Sequence, residues 1–204
     1  MGLGGQSGKG CRIAGVFFFL SLASTAQAHM LVEGAGDFVN GALHPFFTPA
    51  HTLILLGSAL LLGQQVPFRV GLTIRVFAAC SAIGLACTIP GQIPEIPQAC
   101  LVGFALCLGM LVASERRLPG WALAGLGALA ALGIGLDSGL EAPVVANVPK
   151  MLLGNWLSMN AVTFYLAICA SNGADKQWAR TGIRVIGSWI IAVSLLVLAF
   201  ALKR

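Results

Sequence analysis

Long apolar runs alternate along the chain with short breaks of proline, glycine and charge. After residue 28, six such runs follow one another: about Phe38 to Gly63 (interrupted near Pro45 and Pro49), Arg69 to Ile89, Ile96 to Ala113, Trp121 to Gly139, Met151 to Ala170 and Ile183 to Leu202. A helix that crosses the hydrocarbon core needs roughly 20 mainly apolar residues, because each residue adds only about 1.5 Å. The pattern therefore predicts an all-α integral membrane fold of six transmembrane helices, the first broken at HPFFTPAH, residues 44–51. The longest connections, Leu140 to Lys150 and Ser171 to Arg180, hold about ten residues each, which leaves no length for a soluble domain.

The first 28 residues have a different pattern. Lys9 and Arg12 precede the apolar run Ile13 to Ala23, and Ala26 to Ala28 read AQA. That order of basic, apolar and small residues is the three-part form of a secretory signal peptide. The apolar part falls short of a span. Residues 1–28 are thus expected to be a cleaved signal peptide and residues 29–204 a six-helix transmembrane domain whose first residue is His29. Cys11 would leave with the peptide and has no lipobox-like surroundings.

Composition agrees with a membrane protein. Hydrophobic residues make up 57% of the chain and charged residues 9%, against about a quarter charged in soluble domains. The 26 glycines suit helices that must approach closely, since lipid supplies no hydrophobic drive for pairing. The net charge of +5 reports topology rather than nucleic-acid binding, and no basic run with interleaved aromatics is present. With the mature N-terminus in the periplasm, the inner side carries Arg69, Arg75, Arg116, Arg117, Lys176, Arg180 and Arg184, and the outer side Lys150, Lys203 and Arg204. This asymmetry follows the positive-inside rule for a bacterial inner-membrane protein. Glu33, Asp37, Glu95, Asp137 and Glu141 then lie outside, with Glu115 and Asp175 inside.

All three histidines, His29, His44 and His51, fall in the first quarter of the chain, on that outer side. On one continuous helix, His44 and His51 would share a face about 10 Å apart. Pro45 and Pro49 oppose a regular helix, and irregular backbone at membrane depth is tolerated where it is buried in protein or lines a cavity. Buried imidazoles can simply bond neighbouring carbonyls. They are also the commonest nitrogen ligands of transition metals, and an N-terminal His29 would add an α-amine to its ring.

Gly34 to Gly63, "GAGDFVNGALHPFFTPAHTLILLGSALLLG", resembles the opening transmembrane segment of the HupE/UreJ family, accessory membrane proteins of hydrogenase and urease systems regarded as nickel or cobalt permeases. That family shows a signal peptide ending before a histidine and then HPxxGxDH, to which His44, Pro45 and His51 correspond. A later family motif, HGxAHGxE with a proline two residues on, is matched at Gly135, Gly139, Glu141 and Pro143. Thr48 and Ala50 replace the glycine and aspartate of the first motif, and Ile134 and Ser138 the histidines of the second. The resemblance implies an inner-membrane protein that binds or conducts nickel or cobalt met on the periplasmic side, with copper the alternative raised by this chain's cysteines and methionines as soft ligands. His29, His44, His51, Asp137 and Glu141 are the metal-ligand candidates, with Glu33 and Asp37 as further carboxylates. No tightly bound cofactor is expected, only the bound or transported ion. The alternative implied by the lost motif residues is a non-transporting subunit that anchors or assembles a metalloenzyme. Its partners would be the lipid bilayer and metalloenzyme maturation proteins. No GxSxG or HExxH motif suggests an enzyme.

Three other features stand open. Asp137 and Glu141, four residues apart on one face, repel each other unless Lys150 or a cation lies between them. Cys80 and Cys87 on the second run and Cys100 and Cys107 on the third are depth-matched if those helices form an antiparallel hairpin. They would serve as packing residues, as a Cys87–Cys100 disulfide, or with methionines as soft ligands for Cu(I). Asn155, Ser158, Met159 and Asn160 form a polar patch on the fifth run, either interhelical glue or the lining of a pathway. If cleavage follows Ala28, Edman sequencing of the membrane-extracted protein will begin His-Met-Leu; a start at Met1 removes the amine chelate.

Overall fold

A computed structural model describes residues 35–65, 71–89, 96–138 and 147–202. Among them are seven α-helices: α1 Gly36–Phe47, α2 Pro49–Gly63, α3 Gly71–Cys87, α4 Gln98–Ala113, α5 Gly120–Asp137, α6 Val148–Gly173 and α7 Gln177–Leu202. The expected signal peptide, His29, Glu33, Glu95 and Glu141 lie outside the described residues, as do Arg69, Lys203 and Arg204.

The first apolar run is two helices bent by 79° at Thr48. The cause is local. Thr48 precedes a proline, and the ring of Pro49 disfavours the helical region for its predecessor; Thr48 accordingly sits at φ −95, ψ 109. Pro49 then opens α2 at the one helical position where a missing N–H costs nothing. Proline there also leaves the Pro45 carbonyl without its helical donor. The Thr52 hydroxyl lies 3.2 Å from that oxygen and 3.4 Å from those of Phe46 and Thr48, so it bonds across the break.

α2 is the centre of the described bundle. Its sequence PAHTLILLGSALLLG has no continuous polar face, and a helix apolar all round must be enclosed. It packs against α1, α4, α5, α6 and α7, and Ile54, Leu55, Ala59 and Leu61 are fully or nearly fully buried. Around it the principal pairings are α3 with α5, α1 with α6 and α4 with α7. Each is a glycine crossing. A Cβ on Gly41 would overlap the Met151 carbonyl and one on Gly154 the Phe38 carbonyl. Gly84 and Gly135 bring α3 and α5 backbone to backbone, and Gly187 of α7 meets α4 at Val112 and Ala113. Such close approach lets dispersion act where lipid offers no hydrophobic drive.

α5, α6 and α7 are each long and apolar enough to cross a membrane, and α1 with α2 makes a fourth span if the bent pair is taken as one. α3 and α4, of 17 and 16 residues, are shorter apolar helices. The last two helices extend beyond the apolar runs, so that only residues 174–176 connect them in place of the expected ten-residue loop. The polar start of α7 is held by α4. Arg180 pairs with Glu115 and Arg184 Nε donates to the Ala113 carbonyl. Glu115, directly after the C-cap Ser114 of α4, sits at φ 52, a left-handed conformation more usual for glycine. The hydrogen bond from Arg180 holds its carboxyl below the ordinary carboxylate range, so this clasp persists at neutral pH and loosens as acid protonates Glu115. At α2's end, Gln65 bonds the Arg116 carbonyl and the Leu118 amide, and Gln64 bonds the Val112 carbonyl.

The second and third runs do not form the antiparallel hairpin under which their cysteines would be depth-matched. α3 packs on α5 and α6, whereas α4 packs on α2 and α7, because the glycine faces of α3 and α4 select those partners. Cys80, Cys87, Cys100 and Cys107 are free thiols, and neither the disulfide nor a cysteine ladder exists in this arrangement.

Overpacking a close crossing costs about 1–3 kcal/mol or more. Gly41→Leu and Gly135→Leu should therefore lower the thermal midpoint of the detergent-solubilised protein by several degrees, while Gly125→Ala, at a position open to the surroundings, should leave it within error.

Candidate functional site

Three chain segments meet at the break between α1 and α2. His44 lies in the last turn of α1, one turn beyond the Gly41 crossing, and is 8% exposed. His51 lies in the first turn of α2 and is fully buried. Asp137 is the last residue of α5, two residues past the Gly84–Gly135 contact. The imidazole centroids are 5.9 Å apart and inclined by 53°. His51 Nε2 lies 2.8 Å from Asp137 Oδ2. The glycines on α1 and α5 thus bring two backbones in close, each within one helical turn of a site residue.

A carboxylate only accepts, so the Nε2 of His51 is the donor of the pair, and in the neutral ring Nδ1 is the lone-pair nitrogen. That Nδ1 is buried and has no hydrogen-bond partner among the described residues. Asp137 also faces the N-terminal turn of α2, where the helix dipole favours negative charge. A buried imidazole with one nitrogen anchored on a carboxylate and the other free is the orienting arrangement that recurs behind metal-ligating histidines.

Of the sequence candidates, the structure brings together His44, His51 and Asp137. The two histidines are on separate half-helices rather than on one helical face. His29, Glu33 and Glu141 fall outside the described residues. Asp37 stands in the first turn of α1, about 10 Å along the helix from His44. Asp137 pairs with His51 and not with Lys150, whose backbone amide is instead capped by the Asn147 side chain in the first turn of α6. Among the described residues, no three His, Cys, Asp or Glu side chains converge closely enough to hold one ion. Where the resembled motifs carry further ligands, this chain packs its core: Ala50 and Ile134 are buried, and the buried Ser138 hydroxyl donates to the Ile134 carbonyl at 2.7 Å.

A second polar group was not read from the sequence as a unit. Trp156 Nε1 donates to the Ala78 carbonyl at 2.9 Å, Ser81 Oγ donates to the same oxygen at 3.0 Å, and Asn160 Nδ2 reaches Ser81 Oγ at 3.2 Å and the Trp156 carbonyl at 2.8 Å. This network ties α3 to α6 and accounts for Asn160 as interhelical glue. Ser81, alone in the apolar run "VFAACSAIGLAC", was the available signal, since a lone hydroxyl in such a run needs a partner.

The family model described as HupE / UreJ protein matches residues 17–197, most of the chain. No curated protein and no solved structure matches it.

Proposed function

Because the chain belongs to the HupE/UreJ family, we propose that it is a multi-pass inner-membrane protein that binds a divalent transition-metal ion, nickel or cobalt before copper, and passes it inward from the periplasmic side. Six spans are proposed: the broken α1–α2 pair, the shorter α3 and α4, and the long α5, α6 and α7. The observation that carries the reading is the pair of buried His51 and partly buried Asp137, with the second imidazole 5.9 Å away. Polar groups at such depth are costly and are kept where they serve a site.

In this reading the two residues of the pair have different roles. His51 offers Nδ1 as a nitrogen ligand and Asp137 orients the ring, while His44 supplies the second imidazole. His29 and Glu141, at the edges of the same region in sequence, are the proposed remaining ligands, since a nickel or cobalt ion takes several N/O donors at once. Ligation requires the neutral ring, so acid should oppose binding. The role is not enzymatic. The incomplete ligand set among the described residues favours a second reading, a subunit that anchors a metalloenzyme maturation partner without transport.

Titration calorimetry of the purified mature protein with NiCl2 and CoCl2 separates the two. The first reading expects about one ion per chain, with affinity reduced at least tenfold by His51→Ala or His44→Ala and less by Asp137→Asn, which keeps the shape but weakens the anchor. Wild-type protein that binds neither ion, or variants that bind as wild type does, would leave the anchoring subunit.

A further inference from the structure

Two sets stand among the inward-facing side chains of α6 that carry oxygen, nitrogen or sulfur. Asn160 through its Nδ2 and Trp156 through its Nε1 bond within the network with α3, although the Asn160 Oδ1 has no partner among the described residues. Asn155, Met159 and Thr163 stand outside that network. They recur at intervals of four, so they form one stripe along about 12 Å of helix, and they are 2%, 0% and 0% exposed. Asn155 Oδ1 and Thr163 Oγ1 have no hydrogen-bond partner among the described residues.

Thr163 is unusual in this. A hydroxyl in an apolar helix ordinarily bonds a carbonyl three or four residues back. Ser81, Ser138 and Ser158 all do so, to Ala78, Ile134 and Asn155. Ser58 also lacks a partner, but it opens onto a small leucine-lined space among α2, α4 and α5, and Ser194 lies on α7. Neither continues a polar row.

The stripe starts next to the α1–α6 crossing. Asn155 follows Gly154, where α1 crosses α6, and His44 is one turn from the matching Gly41. At the other end of α2, Gly63 rests on Ala167 and Ala170 of α6, so α2 and α6 run side by side in the same direction from the break. Counting back twelve residues along both helices from Gly63 and its contacts at Ala167 and Ala170 places His51 level with about residues 155–158, so Asn155 lies near that level and Thr163 about 12 Å further toward the opposite end.

We propose that Asn155, Met159 and Thr163 form the onward route of the metal cation, an amide oxygen, a thioether and a hydroxyl oxygen that receive it from the histidines. This deepens the permease reading and rests on it. The donor chemistry suits passage rather than storage. Neutral oxygen and sulfur donors attract a dication without the charge that would trap it, and conduction requires sites weak enough to leave. Charged side chains on this stripe would hold the ion.

The full mature protein reconstituted in liposomes containing an entrapped metal-sensitive dye tests the route with Ni²⁺ outside. Asn155→Leu and Thr163→Val should each slow uptake at least tenfold, and Met159→Leu several-fold, while calorimetric Ni²⁺ affinity stays within about twofold of wild type. Thr163→Ser, which restores the oxygen, should keep more than half of the rate. Uptake at the wild-type rate in both Asn155→Leu and Thr163→Val overturns the route, as does a Thr163→Ser rate as low as that of Thr163→Val. Wild-type protein that binds Ni²⁺ without moving it overturns the route but not the binding site; failure of wild type to bind overturns both.

Discussion

Enclosure of α2 is the constraint from which the other features follow. A helix with no polar face can be stable only when neighbours cover it on every side, and five helices do so here. Its first turn is therefore inside the bundle, and whatever side chain stands there is withdrawn from water. His51 stands there. An imidazole so placed needs a bonded partner, and the end of α5 supplies one in Asp137, 86 residues away in sequence. The glycine crossings set how near the surrounding helices come, and those distances decide that His44 and Asp137 both reach the same end of α2.

Much of this was legible in the chain. The apolar runs predict every described helix, because hydropathy over 15 to 25 residues reports the one requirement lipid imposes, that backbone polar groups be satisfied within the segment. The break at residues 44–51 was legible from Pro45 and Pro49, whose steric effects are local. The meeting of His44, His51 and Asp137 was legible only through the family resemblance, since nothing in local sequence couples residue 137 to residue 51.

What stayed hidden is the choice of neighbours. Helices adjacent in sequence commonly form hairpins, and only in such a hairpin would the cysteines of α3 and α4 be depth-matched. Which helices pair is instead set by small residues whose effect is mutual: Gly84 matters because Gly135 is opposite, and Gly109 because Gly187 is. A single helix does not reveal such a match. The Ser81–Asn160 bond that joins α3 to α6 is hidden for the same reason. The start of α7 was misplaced because Gln177, Arg180 and Arg184 interrupt the apolar pattern. Hydropathy reads them as loop, whereas Glu115 and the α4 carbonyls give Arg180 and Arg184 partners that let the helix begin early.

One non-helical residue, Thr48, joins the two half-helices. Its two backbone torsions act as a pivot, with α1 as a lever about 18 Å long swinging on it. His44 sits about 6 Å out on that lever, so a rotation of roughly 10° carries its ring about 1 Å relative to His51. The tip travels about three times as far, while the enclosed α2 need not shift at all. The gap between the imidazoles is in this sense adjustable through the pivot, with the shared Thr52 proton and the Gly41 and Gly154 crossings among the contacts that resist the swing.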